Sequence, residues 1–451
     1  MEITQTSSDG LKRTLKVVIG ASEINERFSQ RIDQVKDQVQ LKGFRKGKVP
    51  AAHIKKVYGR SLMAEVLQEA VRDTSSKAIA ERKERPALQP DIKLPEDQAE
   101  IEKVIEGKAD LAYSMEFEVI PDIAIADLDG IKLERLVAEV DDAARDKALG
   151  ELAGRSVTYT AEEGRAASDK DRVIIDFVGK IDGEAFDGGT GEGMGVVLGA
   201  GSFIPGFEDG ITGAKAGEER VVKATFPAEY PVKTLAGKEA TFDVKVKAVE
   251  APNVPAIDDE LAKSLGIEDL AKLKELITEQ IKKGYDDASR TKLKRELLDA
   301  LEAAHDFELP PSLVETEFNA IWQQLTNSMK GQGKSFPDEG KTEDEARAEY
   351  RKIAQRRVRL GLVIGEIGEK NGIAVSQDEL RRALIEQARR YPGQEKMVYE
   401  YFEKTPGALA ELRAPIFEDK VVDFILDKAK PSEKTVTSEE LMKQVEEATL
   451  G

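Results

Sequence analysis

Apolar and polar residues follow two different periods along this chain, and the switches between them divide it into three zones. In the first zone LKRTLKVVIG (11–20) reads as a strand. Ile24, Phe28, Ile32, Val35 and Val39 then recur at steps of three and four, which predicts a helix from Ser22, as N-cap, to about Leu41. Gly43 is placed to stop it, and Pro50 to open a short helix over 51–58, with a longer one over 61–84. LAYSMEFEVIP (111–121) alternates Tyr113, Met115, Phe117 and Val119 with smaller or polar residues, as a strand does. Between about Asp169 and Val249 the chain turns Gly-rich, β-branched and aromatic. DG at 182–183 and 209–210 and DGG at 187–189 read as turns between strands such as RVIIDFVGKIDG, RVVKATFP and ATFDVKVKAVE, in a compact antiparallel sheet. From about Pro255 the period is helical again. Leu270, Leu273, Ile277, Ile281, Tyr285 and Ala288 line one run, and breaks at 309–311, 331–340, 371–372, 391–393 and 428–431 predict several helices. The fold class predicted is α+β and multidomain.

A length of 451 residues suits roughly three domains at about 150 residues each. The chain has no Cys, which excludes disulfides, thiolate metal sites and Cys nucleophiles. His53 and His305 are the only imidazoles and are far apart, which argues against a His metal site or a Ser-His-Asp triad. The polar start lacks the apolar core of a secretory signal, and no apolar stretch approaches about 20 residues, so a cytosolic protein with no membrane association is expected.

Charge changes this picture at one point. The chain holds 68 Lys and Arg against 86 Asp and Glu, yet residues 1–110 carry 21 basic and 18 acidic side chains, leaving −21 for residues 111–451. Gln38 to Ala64 contains seven basic residues and no acidic one, around LKGFRKGKVP (41–50). A phosphate loop is rejected here, because three residues rather than four separate the glycines and Val49 stands where Ser or Thr would hold a metal. The glycines from Gly188 to Gly195 lack dinucleotide spacing. Two readings of the basic loop remain open on composition: a docking tip that seats cations on phosphates or acidic groups with Phe44 against a partner, or a solvated loop with Phe44 folded onto its own core. The aromatic residues of the middle zone are likewise either plain core or the lining of a site.

Three stretches of the middle zone, IDGEAFDGG, LGAGSFIPGFEDGITGAKAGEE and FPAEYPVKTLAGK, together resemble an FKBP-type peptidyl-prolyl isomerase domain. GFRKGK resembles the ribosome-docking signature of the bacterial trigger factor family, and FELPPSLVETEF, RRVRLGLVIGEIGEKNGI and VVDFILDKAKPSEKTV resemble its C-terminal part. The likeness spans essentially the whole chain. It implies a ribosome-binding α+β domain over 1–120, a linker over 121–160, an FKBP-like antiparallel sheet domain with a short helix over 161–250, and an all-α chaperone domain with helical arms over 251–451.

By the same resemblance Gly43, Phe44, Arg45, Lys46 and Lys48 would contact the ribosome, at a protein beside the tunnel exit and at nearby RNA. Phe177, Phe186, Asp187, Met194, Ile204, Phe207, Tyr230 and Phe242 would form the proline pocket, Asp187 orienting it through hydrogen bonds. Met194 stands where single-domain members usually carry an aromatic residue, and Phe207 where they commonly carry Trp. The implied partners are the ribosome, nascent and unfolded chains and, off the ribosome, a second copy. No cofactor and no metal is implied. The implied function is an ATP-independent chaperone that supports folding and export and catalyses cis/trans isomerisation of X-Pro bonds. A free isomerase with recruiting domains and an RNA-binding assembly factor are the alternatives; the single basic tip argues against the latter.

Overall fold

The computed structural model describes residues 1–36, 49–405 and 407–450. β1 (Glu2–Asp9) and β2 (Lys12–Ile19) form a hairpin turned at Gly10, whose φ of +50° favours glycine. α1 (Ala21–Lys36) follows directly, so Ser22 lies inside its first turn and is not the cap the sequence suggested. The Ala21 N–H instead donates to the Asp110 carboxylate at 2.8 Å. The helices expected over 51–58 and 61–84 are one, α2 (Ala51–Arg82). Gly59 in its interior costs about 1 kcal/mol of helix propensity, but buried Ile54 and Leu62 on either side hold the helix to the core.

β3 (Asp91–Lys93), α3 (Gln98–Ile105) and β4 (Leu111–Glu118) complete this part. Its antiparallel sheet has the order β1-β2-β4-β3. Register pairs Leu15 with Met115 and Val17 with Tyr113, and the inward face packs on Ile24, Phe28, Leu62 and Val66 of α1 and α2. The Tyr113 hydroxyl is satisfied by the hydroxyls of Thr74 and Ser75, each at 2.8 Å, so this buried polar atom is not left bare.

β5 (Glu134–Ala138) and α4 (Asp142–Arg155) come next. They lead to β6 (Thr158–Ala161), β7 (Arg172–Ile181), β8 (Glu184–Val197), α5 (Phe207–Ile211), β9 (Glu219–Thr225) and β10 (Glu239–Asn253). The sheet runs β6-β10-β7-β8, with β9 also paired to β10. Of the three turn signals read from the sequence only the first turns the chain: Asp182 and Gly183, at φ +53° and +92°, close the β7–β8 hairpin. Asp187–Gly188–Gly189 lies inside β8 and Asp209–Gly210 inside α5. Gly189 and Gly210 serve close approach, since a Cβ on Gly189 would meet the Phe186 ring at 2.7 Å and one on Gly210 would meet Val222 at 2.5 Å.

The remaining elements are α6 (Asp259–Ser264), α7 (Leu270–Ala304), α8 (Pro311–Gly331), α9 (Glu343–Lys370), α10 (Gln377–Arg389), α11 (Glu395–Lys404), α12 (Ala408–Ala429), β11 (Ser432–Val436) and α13 (Ser438–Leu450). Capping boxes Thr342/Glu345 and Ser376/Glu379 open α9 and α10. β11 pairs with β5. Among the described residues no helix is long and apolar enough to cross a membrane.

Two compact units result: Met1–Glu134 with Leu293–Ser432, and Arg135–Lys292 with the segment from Glu433 onward. In the first, Arg85 binds Glu366 at 2.7 Å and Glu369 at 2.9 Å, tying the N-terminal module to α9. The bond to Arg85, followed by the one to Lys370, outweighs burial and holds the Glu366 carboxyl below its ordinary range. Buried His305 donates its Nδ1–H to the Leu301 carbonyl at 2.7 Å, while its Nε2 accepts the Ala126 N–H at 3.0 Å. The two bonds occupy both ring nitrogens, so the ring has a structural task. In the second unit the β-sheet core, from Ala167 to Val249, carries the phenylalanine cluster.

Candidate isomerase site

Strand period places Ala240, Phe242, Val244 and Val246 of β10 on one buried face. Phe177 comes from the neighbouring β7, opposite Val244, and Phe207 opens α5. Phe207 is the hub. Phe203 stacks on it at 5.0 Å between ring centroids and 14°, Phe242 stands edge-on at 5.0 Å and 84°, and Phe177 at 5.8 Å and 72°. The network continues from Phe242 to Phe186 at 6.2 Å, to Phe226 at 5.8 Å and to Tyr230 at 4.8 Å. Edge-to-face pairs of this kind are worth about 0.5–1.5 kcal/mol each beyond area burial. Phe207 and Phe242 are buried, whereas Phe177, Phe186, Phe203, Ile204 and Tyr230 are only half-buried, so the rings form a wall with one side to solvent.

Bare backbone makes room for that wall. A Cβ on Gly179 would lie 2.7 Å from both Phe186 and Phe242, and one on Gly191 would lie 2.6 Å from Phe177. Met194, on β8 opposite Ile175, is 40% exposed at the rim. Its neighbour Gly193 donates its N–H to Asp176 at 2.7 Å, and Lys247 binds the same carboxylate at 2.8 Å; the Lys247 bond first and the Gly193 bond second pull the Asp176 pKa down. Asp187 is exposed, and among the described residues its carboxylate makes no hydrogen bond. The structure thus brings Phe177, Phe186, Ile204, Phe207, Tyr230 and Phe242 together, and leaves Met194 and Asp187 at the edge. Phe203 and Phe226 are structural members of the same network. Their aromatic character within the Gly-rich stretches was the available signal.

Chemically the wall offers apolar, polarisable surface and no nucleophile. Among the described residues no group of three His, Asp or Glu side chains is placed to hold a metal.

Family models match the chain in three consecutive blocks: bacterial trigger factor protein over 1–152, FKBP-type peptidyl-prolyl cis-trans isomerase over 163–247, and bacterial trigger factor protein C-terminus over 269–427. The trigger factor of Methylobacterium radiotolerans is 51% identical over 98% of this chain and 93% of its own length. That of Azorhizobium caulinodans is 50% identical over 99% of each. The chain belongs to the bacterial trigger factor family.

A solved structure of a trigger factor chaperone, studied for promiscuous substrate recognition in folding and assembly, covers 95% of this chain and 100% of its own, with TM-score 0.55 and 22% identity, a likeness of fold. Of the residues that the trigger factor resemblance assigns to docking, Gly43, Phe44, Arg45, Lys46 and Lys48 lie outside the described residues. In the helical part, Tyr391, Met397, Tyr399, Tyr401 and Leu409 of the α10–α12 region are exposed, large apolar side chains that no sequence pattern marks as a site. α10 is tied to α12 where Lys420 binds Glu379 at 2.9 Å.

Proposed function

We propose that the ring wall around Phe207 is the surface on which this trigger factor isomerises X-Pro bonds, with Phe177, Phe186, Ile204, Tyr230 and Phe242 as its lining and Met194 and Asp187 at its rim. As a member of its family the chain is a ribosome-associated chaperone with an FKBP-type prolyl isomerase domain. The observation that carries the assignment is the convergence of Phe177, Phe203 and Phe242 on the buried Phe207 ring, with Phe177 and Phe203 themselves only half-buried.

The barrier to rotation, about 18–20 kcal/mol, is the resonance of the peptide bond, so no covalent catalyst is required. A twisted amide has lost conjugation and part of its dipole. An apolar wall accepts that state more readily than the planar, hydrated one, and each 1.36 kcal/mol or so of difference is a factor of about ten in rate. Phe207→Leu, which replaces the central ring by a smaller apolar side chain and is checked for folding by circular dichroism, should lower kcat/KM on a short proline peptide by about tenfold or more while leaving ribosome binding intact. Unchanged isomerase activity would remove the assignment.

Docking is assigned to Phe44, Arg45 and Lys46, with Gly43 and Lys48 of the same basic segment as further ribosome contacts. The partner surface is a protein beside the tunnel exit and adjacent RNA, in the cytoplasm. The acidic remainder of the chain is repelled by RNA, which leaves the basic segment around Phe44 for docking. A Phe44→Ala, Arg45→Ala, Lys46→Ala variant should keep isomerase activity and leave the ribosomal pellet on cosedimentation. Pelleting equal to wild type would refute the dock. The exposed Tyr391, Met397, Tyr399 and Tyr401 support weak, promiscuous holding of nascent chains, including those bound for export. Off the ribosome the same N-terminal surface can pair with a second copy.

A further inference from the structure

Glu208 follows Phe207 directly in α5, and its carboxylate gathers four backbone N–H groups from a single loop. Gly199 and Gly201 donate to Oε2 at 2.9 and 3.1 Å, and Ser202 and Phe203 donate to Oε1 at 2.8 and 3.2 Å. Gly199 and Gly201 hold φ of +82° and +65°, conformations that turn these N–H groups inward towards one point. Such a concave array of donors calls for an anion. Here the chain supplies it from its own next turn. The loop ends in Phe203, stacked on Phe207, and in half-buried Ile204.

We infer that Glu208 is a positioning residue of the isomerase site. It acts through the 199–204 loop, holding Phe203 and Ile204 against Phe207 so that the upper wall exists before a peptide arrives. The inference rests on the reading of the ring wall as the isomerase surface. A loop that must be ordered on binding charges its entropy to affinity. The face made by Phe177, Phe207 and Phe242 persists without it. Losing Glu208 should therefore raise KM and spare kcat.

Glu208→Gln tests this in the full chain. Gln has one acceptor oxygen, and its amide NH2 opposes two of the four N–H groups. KM for a short proline peptide should rise about five- to tenfold, about tenfold being the equivalent of 1.36 kcal/mol, with kcat within about twofold of wild type. Glu218→Gln serves as control, because Glu218 also accepts a backbone N–H, from Lys215 at 2.9 Å, and otherwise engages Arg220. It should leave both constants unchanged.

A fall in kcat with KM unchanged would mean that Glu208 merely keeps protein folded, and would overturn the inference, as would wild-type constants in both. Should Glu208→Gln fail to fold by circular dichroism, the shorter Glu208→Asp, which retains the charge but not the reach, is judged by the same split. Phe207→Leu separates the two levels. If it is impaired while Glu208→Gln is normal, only the positioning role fails; if it is fully active, the wall itself is not the site and both fail.

Discussion

Ser312 gives both its backbone N–H and its hydroxyl to one oxygen of the Glu118 carboxylate, at 2.8 and 2.6 Å, across 194 residues of sequence. Pro310 precedes α8 and offers no side-chain cap, so the start of that helix is capped by a residue of β4. Glu118→Ala should lower the stability of the unit containing α8 by about 1 kcal/mol, the usual worth of a cap, read as a shift in its urea midpoint. The ring wall lies in the other unit, and isomerase activity should not change.

Gly179→Ala asks whether the bare strand matters. The new methyl would arrive 2.7 Å from both Phe186 and Phe242. One ring must leave its place, at a cost of about 1–3 kcal/mol, and kcat/KM should fall with stability. A variant of wild-type stability and activity would show that the rings can yield freely.

Glu379 supplies a pH prediction. The bond from Lys420, then those from the Ser376 N–H and hydroxyl, lower its pKa from 4.5 to about 2 in the folded chain. A carboxyl depressed on folding contributes stability that is fully present above its unfolded pKa and is lost as pH falls through the folded value. The advantage of wild type over Glu379→Gln should thus be constant above about pH 5 and vanish between about pH 4.5 and 2. Carboxyl carbon NMR should place the Glu379 midpoint near the lower end of that range; a midpoint near 4.5 would deny the tie between α10 and α12 in solution.

Trp322, the lone tryptophan, stacks with Phe318 at 5.8 Å and 22° and with Phe336 at 5.2 Å and 12°, and the Arg347 guanidinium lies 4.5 Å from its ring centre. Phe336→Ala uncovers one face of the indole. Its emission should move to longer wavelength and become more open to acrylamide, and an unchanged spectrum would mean the stack is not populated.

Much of this architecture was legible where a segment has one buried face. The alternation of Tyr113, Met115 and Phe117 predicted β4, and the steps from Ile24 to Ile32 predicted α1, because burial on one side writes a period into the sequence. β1 was not legible. Its eight residues, EITQTSSD, are nearly all exposed at the sheet edge, so nothing selects an alternation. The Asp110 and Glu118 caps were hidden for another reason, since a cap donated from elsewhere in the chain leaves no local signature. In the ring wall the aromatic residues could be named from sequence, but Glu208 could not. A glutamate beside a glycine loop looks like any surface acid until the loop folds over it.

The pairing of β5 with β11 sets a schedule as well as a shape. The Ser432 hydroxyl reaches back to the Leu133 carbonyl across 299 residues. At about 5–20 residues per second of synthesis, β5 waits roughly 15–60 s for its partner strand to be made. Over that interval Leu136 and Ala138 lack Val436 and Leu441, the residues that bury them in the finished molecule. A protein that shelters unfinished chains is itself, during its own birth, an unfinished chain with apolar strand edge on offer, and so a natural customer for an older copy.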